Sequence, residues 1–196
     1  MLETFLLSQL DDNDDSSDDS SAFIQESDRI HGFTCATAVF YAPSDLATPG
    51  GMSSEKIRCT PRWWKEHPRY DTVLVSIDAD GVGLDGMLVA RVRAFFSFKY
   101  GGKKYPCALV EWFEYCEDHV DDVTGMWMVQ PELHDDGNRV TSIISVDSIV
   151  RACHLIGVYG DVDLQAEDFH YSLSLDIFSR FYVNWYIDYH AHEVIC

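Results

Sequence analysis

The sequence predicts a mainly β (α+β) fold, a small antiparallel β-barrel with a C-terminal amphipathic helix packed on it. Three observations lead to this prediction: a long hairpin pattern at residues 89–113, shorter strand-like segments on either side of it, and a helical period of aromatic residues near the C-terminus. The chain has 196 residues, of which 46% are hydrophobic, so it can bury one sizeable core. We expect a single barrel domain over residues 37–194.

The hairpin is the best-defined element. In VARVRAFFSFKYGGKKYPCALVEWF (residues 89–113), an apolar face alternates with a mixed face, which is the period of a half-buried strand. The Gly-Gly pair supplies the positive φ angles of a tight turn. A two-residue loop would place Val92 against Glu111, whereas a three-residue loop places it opposite Trp112. We predict the second register, because it keeps one face apolar.

Four shorter segments are also predicted as strands: residues 38–41, 72–77, 125–130 and 141–146. Turn sequences separate several of them, such as DDGN at residues 135–138. Asp147 is placed to cap a short helical segment at residues 148–153.

The last predicted element is an amphipathic helix. Its apolar side is built from residues that recur at three- and four-residue spacings, with Ser174 as the N-cap. These residues are Leu175, Phe178, Phe181, Tyr182, Trp185 and Tyr189.

Charge divides the chain into three parts. Residues 1–28 hold nine acidic residues and no Lys or Arg, so we expect residues 1–30 to form an acidic disordered tail. Residues 29–104 carry a net charge of +4, and residues 105–196 carry −14. This acidic balance argues against direct nucleic-acid binding over the whole domain. A local basic patch stays open as an alternative: Lys56, Arg58, Arg62, Lys65 and Arg69.

The six cysteines are dispersed and form no Cys-x-x-Cys pair. We expect reduced thiols and an intracellular protein, since no signal-peptide pattern or long apolar run is present. No catalytic constellation stands out either: Gly81-x-Gly83 lacks the dinucleotide-binding pattern, and the calcium-loop alignment at residues 76–87 ends in Met87 instead of Glu. The sequence therefore favours a protein that is not an enzyme.

One cluster near the C-terminus is a candidate metal site. Asp188, His190, His192 and Glu193 carry side chains that bind zinc or manganese. On a helix, Asp188 and His192 would share a face, whereas an extended strand would bring the two histidines together. The alternative is a helix end where histidine opposes the negative dipole.

The order of several long motifs resembles a domain family found in large proteins of mushroom-forming (basidiomycete) fungi, often at the C-terminal side of transposon-derived sequences. The motifs are VFYAPSDLATPGGM (39–52), RYDTVLVSID (69–78), GMLVARVRAFFSF (86–98), YPCALVEWF (105–113), TGMWMVQPE (124–132), VDSIVRACHLIGVYG (146–160) and FYVNWYIDYHAHEV (181–194). The resemblance implies a transposon-associated protein and a transposase as one candidate partner.

The order of strands also resembles that of bromo-adjacent homology (BAH) domains. The segment VEWF at residues 110–113 is similar to the hallmark strand of that family, and Ile149 with Cys153 is similar to its later turn. Those domains are chromatin-associated barrels that bind histones or other proteins. The resemblance implies a BAH-like barrel, a chromatin partner and a nuclear location.

Two function hypotheses follow. The first is a non-enzymatic interaction module, in which exposed tryptophans among acids hold a cationic side chain of a protein partner through cation–π attraction. Its candidate binding residues are Trp63, Trp64 and Trp127, with Arg91 and Arg93 from the mixed face of the hairpin. We expect Trp112 to pack in the core instead. The second hypothesis is a metal-binding or metal-dependent enzyme site at the C-terminal cluster.

Overall fold

Strand pairing organises the chain into two sheets. The computed structural model describes residues 1–11, 29–43, 49–64, 66–78, 81, 83–160 and 170–195. The strands are β1 His31–Phe33, β2 Cys35–Tyr41, β3 Met52–Trp63, β4 His67–Tyr70, β5 Thr72–Ser76, β6 Met87–Tyr100, β7 Lys103–Tyr115, β8 Met128–Pro131, β9 Thr141–Ser145, β10 Ile149–Cys153, β11 Leu155–Gly157 and β12 Phe181–Val183. The α-helices are α1 Leu2–Asp11, α2 Ser174–Ile177 and α3 Tyr189–Ile195. Short 3-10 helices lie at Pro49–Gly51, Gly83–Gly86, Val146–Ser148, Tyr171–Leu173 and Trp185–Ile187.

Seven strands form an antiparallel, nearly closed barrel in the order β10-β5-β6-β7-β8-β12-β11. The two end strands of this order, β10 and β11, are separated along the chain by a single residue, His154. Because side chains alternate along a strand, each strand turns one face inward. The inward side chains, with α3, form one hydrophobic cluster, to which the strands contribute in turn Cys153, Leu74, Val89, Phe113, Val129, Phe181 and Leu155. The prediction of a mainly β barrel is confirmed.

A second sheet, β2-β3-β4, covers the outer face of the barrel at β5, β6 and β7. Ile57 and Cys59 of β3 pack there against Val73, Ala90 and Val110. Strands β5 and β6 are therefore buried on both faces. The same packing brings β4 close to β6 of the barrel.

The predicted hairpin is confirmed as β6 and β7, but its predicted register is wrong. The loop contains only the two glycines, with φ angles of 55° and 81°. The register then shifts between Val92 and Ala94, so that Val92 pairs with Val110 instead of Trp112. This β-bulge adds Arg93 to one strand and gives Val92 an apolar partner without a longer loop.

The single C-terminal helix predicted from Ser174 is wrong. The segment divides into α2, β12, a 3-10 helix and α3. Strand β12 pairs with β8 and β11, and its Phe181 and Val183 are buried inside the barrel. A continuous helix would leave the backbone groups of both neighbouring strands without these ladder bonds. The N-cap of α2 is Leu173, and the short α3 does pack against the barrel through Ala191 and Ile195.

The remaining strand predictions correspond to β2, β5, β8 and β9, with shifts of up to three residues at their ends. The helical prediction for residues 148–153 is wrong, because this segment is β10 and pairs with β5. The helix before it is capped by Ser145 instead of Asp147. Strand β3 has no counterpart among the predicted strands.

The prediction of disorder from residue 1 is wrong for residues 2–11, which form α1. Phe5 and Leu6 are buried against Phe98 and Cys107 at the far end of the long hairpin. This apolar contact offsets the entropy lost on ordering the helix. The acid-rich remainder of the predicted tail, residues 12–28, lies outside the described residues.

No disulfide joins the described cysteines Cys35, Cys59, Cys107, Cys116 and Cys153, and their reduced state stays a prediction. Burial raises the pKa of Cys59 to about 11 and the pKa of Cys107 and Cys153 to about 12, so these thiols stay protonated near neutral pH. In the described part of the chain, no helix is both long and apolar enough to cross a membrane.

Candidate functional site

A cleft lies between the β3–β4 hairpin and the segment that enters α2. Its volume is about 560 Å³. We call it the aromatic cleft, and it is lined by Trp63, Trp64, Glu66, His67, Pro68, Arg69, Tyr70, Arg91, Tyr171, Ser172, Ser174 and Leu175. The two sides of the cleft are about 100 residues apart in the chain, so the cleft exists only in the folded protein.

Trp64 is the most exposed aromatic residue of the cleft. It follows a register shift in the β3–β4 pairing and has a φ of 52°, a left-handed conformation that is unfavourable for a bulky side chain. The side chain is 79% exposed and meets the ring of Trp63 edge-on, with centroids 6.0 Å apart. Strained backbone of this kind is often found where a side chain has a binding role.

Trp63 is already in contact with two cations. The guanidinium carbons of Arg58 and Arg69 lie 4.4 and 5.1 Å from its ring centroid. Arg69 is held there by Asp71, whose carboxylate accepts a 2.7 Å bond from Arg69 Nε and a 2.8 Å bond from the Arg58 backbone N–H. Four residues of the predicted basic patch thus lie on β3 and β4, and Lys65 is outside the described residues.

Tyr70 brings two further arginines to the cleft. Arg93 lies 4.4 Å and Arg91 5.7 Å from its ring centroid. Arg91 is buried and donates to both carboxylate oxygens of Asp176 at 2.5 and 3.2 Å, whereas Arg93 lies 3.4 Å from Glu111. Among the described residues, the buried Nε of Arg91 has no hydrogen-bond partner.

Arg139 completes this group. Its Nη2 donates to the Leu175 carbonyl at 3.3 Å, and its buried Nη1 has no partner in the described part of the chain. Burial and the nearby charges of Arg91 and Arg93 lower the pKa of Arg139. Burial alone would raise the pKa of Asp176, but the hydrogen bonds from Arg91 and the charges of the other two arginines hold it below its ordinary value. We call Arg91, Arg93, Arg139, Asp176 and Glu111 the arginine group.

The opposite side of the cleft is also aromatic. The rings of His67 and His170 are 4.2 Å apart between centroids, and Tyr171 lies 4.2 Å from His170. His170 Nδ1 lies 2.8 Å from Ser172 Oγ and also accepts the Ser172 backbone N–H at 3.3 Å. Tyr171 is 68% exposed, so a second large ring faces solvent at the cleft.

The predicted binding residues are only partly brought together. Trp63, Trp64 and Arg91 line the cleft, and Arg93 lies beside it on Tyr70. Trp127 is elsewhere: it packs against the barrel core with its ring 5.4 Å from Tyr115. Trp112 packs against the outer core cluster, as expected. The tryptophans therefore do not form one common surface for a cationic side chain.

The four predicted metal ligands do not form one site. Asp188 accepts two bonds from Arg151, at 2.9 and 2.6 Å, and His190 Nδ1 lies 2.9 Å from the same guanidinium. His192 stacks on Trp185, and Glu193 is exposed. Arg151 supplies the positive charge that a metal would have supplied. In the described residues, no three His, Cys, Asp or Glu side chains are grouped closely enough to hold a metal ion.

Arg151 instead joins three parts of the fold. It extends from β10 to Asp188 before α3 and lies 3.7 Å from Glu55 of β3. Its guanidinium carbon is 5.0 Å from the centroid of the Phe40 ring, on which His190 stacks. We call these five residues the Arg151 cluster. Burial and the charge of Arg151 lower the pKa of His190, and the hydrogen bonds from Arg151 lower that of Asp188.

Sequence reasoning missed the partners that define the cleft. His67 and Tyr70 in HPRY lie only a few residues after the two tryptophans, and that concentration of rings and arginines was a usable local signal. Tyr171 and Asp176 gave no such signal, because only the fold brings them to β4 and β6.

No protein-family model, curated protein sequence or solved structure matches this chain. The two resemblances described above therefore stay predictions, and the function has to be argued from the geometry of the cleft.

Proposed function

We propose that this chain is a non-enzymatic interaction module that docks a segment of a partner polypeptide in the aromatic cleft. The observation that carries the proposal is Trp64, a large side chain held 79% exposed at the cleft by a left-handed backbone. Large aromatic side chains dominate the binding energy of many protein interfaces. An exposed tryptophan that contributes little to the core has a clear use at such an interface.

The dimensions and chemistry of the cleft support docking. Its volume of about 560 Å³ suits a short peptide segment with one large side chain. Trp64 and Tyr171 offer apolar contact, while Arg69 and Ser172 offer hydrogen bonds that can orient a backbone. This combination of rigid rings with a few polar groups is typical of peptide-binding surfaces.

The arrangement closest to a catalytic pair is His170 with Ser172. A general base that activates a serine must accept its proton, and a third group usually orients that base. Here the same Nδ1 also accepts the Ser172 backbone N–H, which is the capping contact of the 3-10 helix that follows. This local capping role favours binding over catalysis.

The source of the partner follows from the resemblances given above. The fungal family points to a transposase or another transposon-encoded protein, and the likeness to BAH domains points to chromatin. In either case the proposed ligand is a protein segment.

The proposal is tested by selecting binders from a displayed random-peptide library on the full chain. Peptides selected on the wild type are expected to bind Trp64→Ala at least about tenfold more weakly, since truncation of an aromatic hot spot costs roughly 2 kcal/mol or more. Tyr159→Ala is the matched control, because Tyr159 is 81% exposed and does not line the cleft. Binding that is unchanged in Trp64→Ala, or a library that yields no binders, would contradict the proposal.

A further inference from the structure

We infer that the partner segment is acidic, and that one of its carboxylates is held by the arginine group at the edge of the aromatic cleft. The inference rests on the proposed docking function and adds the chemistry of the ligand. It reverses the hypothesis drawn from the sequence, in which the tryptophans hold a cationic side chain.

The two rings that would have to receive a cation are already in contact with arginines. Trp63 has the guanidinium groups of Arg58 and Arg69 within about 5 Å, and Tyr70 has those of Arg91 and Arg93 within 6 Å. A further cation placed among four guanidinium groups would be repelled, because like charges at this separation destabilise each other. An anion would be attracted.

The arginine group contains more positive than negative charge. Arg91, Arg93 and Arg139 face two carboxylates: Asp176 is bound to Arg91, Glu111 lies 3.4 Å from Arg93, and Arg139 lies close enough to these four residues to be affected by their charges. Two buried N–H groups, Arg91 Nε and Arg139 Nη1, have no acceptor among the described residues. Buried donors without acceptors are costly, so the group gains free energy when a further carboxylate accepts from it.

Asp176 is a carboxylate that a ligand can supplement or replace. It is bound to both terminal nitrogens of Arg91, yet its side chain is 50% exposed, whereas that of Arg91 is 6% exposed. It lies on α2, a four-residue helix whose N-cap makes no side-chain hydrogen bond. Two other residues of α2, Ser174 and Leu175, line the cleft. A ligand in the cleft therefore lies beside the Arg91–Asp176 pair.

Charge also distinguishes a short acidic peptide from a nucleic acid. The chain has a net charge of −19, and residues 105–196 alone carry −14. Electrostatic interactions are screened over about 8 Å at physiological salt, so a peptide with one or two carboxylates in the cleft mainly experiences the local charges, which are Arg69 and Arg91 against Glu66 among the lining residues. A long polyanion would extend onto acidic surface and be repelled.

The test uses the peptides selected on the wild type. Those whose binding depends on Trp64 are expected to be rich in Asp and Glu, and their Gln and Asn versions to bind about tenfold more weakly in fluorescence anisotropy, the loss expected for one charge-assisted hydrogen bond. Arg139→Gln is expected to weaken binding similarly. Arg62→Gln is its matched control, because Arg62 carries the same charge on β3 and belongs neither to the cleft lining nor to the arginine group.

A second variant separates binding from folding. Asp176→Asn removes the competing internal carboxylate, so it is expected to tighten binding of acidic peptides severalfold while the neutral peptides change little. A purely structural role for Asp176 predicts the opposite, weaker binding of both kinds.

The two proposals fail in different ways. If Trp64-dependent peptides are found but acidic and neutral versions bind equally, the acidic-ligand inference is overturned and the docking function stands. Tighter binding of a poly-dT oligonucleotide than of the acidic peptides would also overturn the inference. If no Trp64-dependent peptide exists, both proposals fall.

Discussion

Two buried arginines, Arg91 and Arg151, use the same kind of contact in two regions of this molecule. Their side chains are 6% and 4% exposed. Each donates to both oxygens of a half-exposed aspartate in the C-terminal segment, Asp176 for Arg91 and Asp188 for Arg151. Each also lies within 6 Å of an aromatic ring.

The difference is in how completely each guanidinium is satisfied. Arg151 Nε donates to the Ala152 carbonyl, Nη1 contacts both Asp188 and His190, and Glu55 lies near Nη2. Among the described residues, Arg91 donates side-chain hydrogen bonds only to Asp176, and its Nε has no partner. A fully satisfied network makes a fold rigid, whereas a partly satisfied one keeps donors for another acceptor. We therefore expect the Arg151 cluster to contribute mainly to stability, and the proposed ligand contact concerns the arginine group.

The largest expected effect comes from removing each arginine in turn. Arg151→Met should lower the free energy of unfolding by about 3–5 kcal/mol, because both Glu55 and Asp188 lose their counter-charge. Arg91→Met should cost less, about 1–3 kcal/mol, since it leaves one carboxylate that water can solvate. Urea unfolding followed by tryptophan fluorescence measures both values. A loss for Arg91→Met equal to that for Arg151→Met would remove the distinction between the two regions.

A smaller effect is expected from His190, which has no equivalent beside Arg91. Burial and the charge of Arg151 lower its pKa below the ordinary 6.5, against the opposing charges of Asp188 and Glu193. The unfolded state then binds the proton more readily, so this stabilisation is present above about pH 6.5 and is lost as the pH falls through the folded-state pKa. Unfolding free energies between about pH 7 and pH 5 should decline more steeply in the wild type than in His190→Gln.

The comparison of the wild type with His190→Gln isolates His190, because every other titratable group is present in both. A slope that is the same in the variant would show that the contact with Arg151 does not disfavour protonation of His190.

The sequence predicted the barrel better than it predicted its details. The long hairpin and the short strands have period-2 patterns that local residues decide. The bulge at Arg93 has no glycine or proline to mark it, so the predicted register followed loop length and was wrong. The aromatic spacing near the C-terminus fitted a helix, yet Phe181 and Val183 fit a strand equally well. Pairing with β8 and β11 decided the outcome, and no local pattern contains that information.

The candidate site was also predicted only in part from the sequence. Trp63 and Trp64 were predicted as candidates because aromatic side chains near acidic residues can hold a cation. The predicted basic patch gave part of the charge around them, but the contribution of Arg91 and Arg93 was not predictable, since these two reach Tyr70 only through the packing of β4 beside β6. The contacts of Asp188 and His190 were not predictable for the same reason, because the fold brings Arg151 to them.

The smallest expected change in stability is at Trp64, and its effect on the free energy of unfolding should differ most from that of Arg151→Met. Trp64→Gly removes an exposed ring and places the residue best suited to a φ of 52° at this position. Relief of backbone strain and the greater freedom of the unfolded chain oppose each other, so the free energy of unfolding should change by less than about 1 kcal/mol. Binding of the selected peptides should nevertheless weaken at least about tenfold, as in Trp64→Ala. A large loss of stability would mean that Trp64 supports the fold, and the left-handed backbone at the cleft would then need a structural explanation.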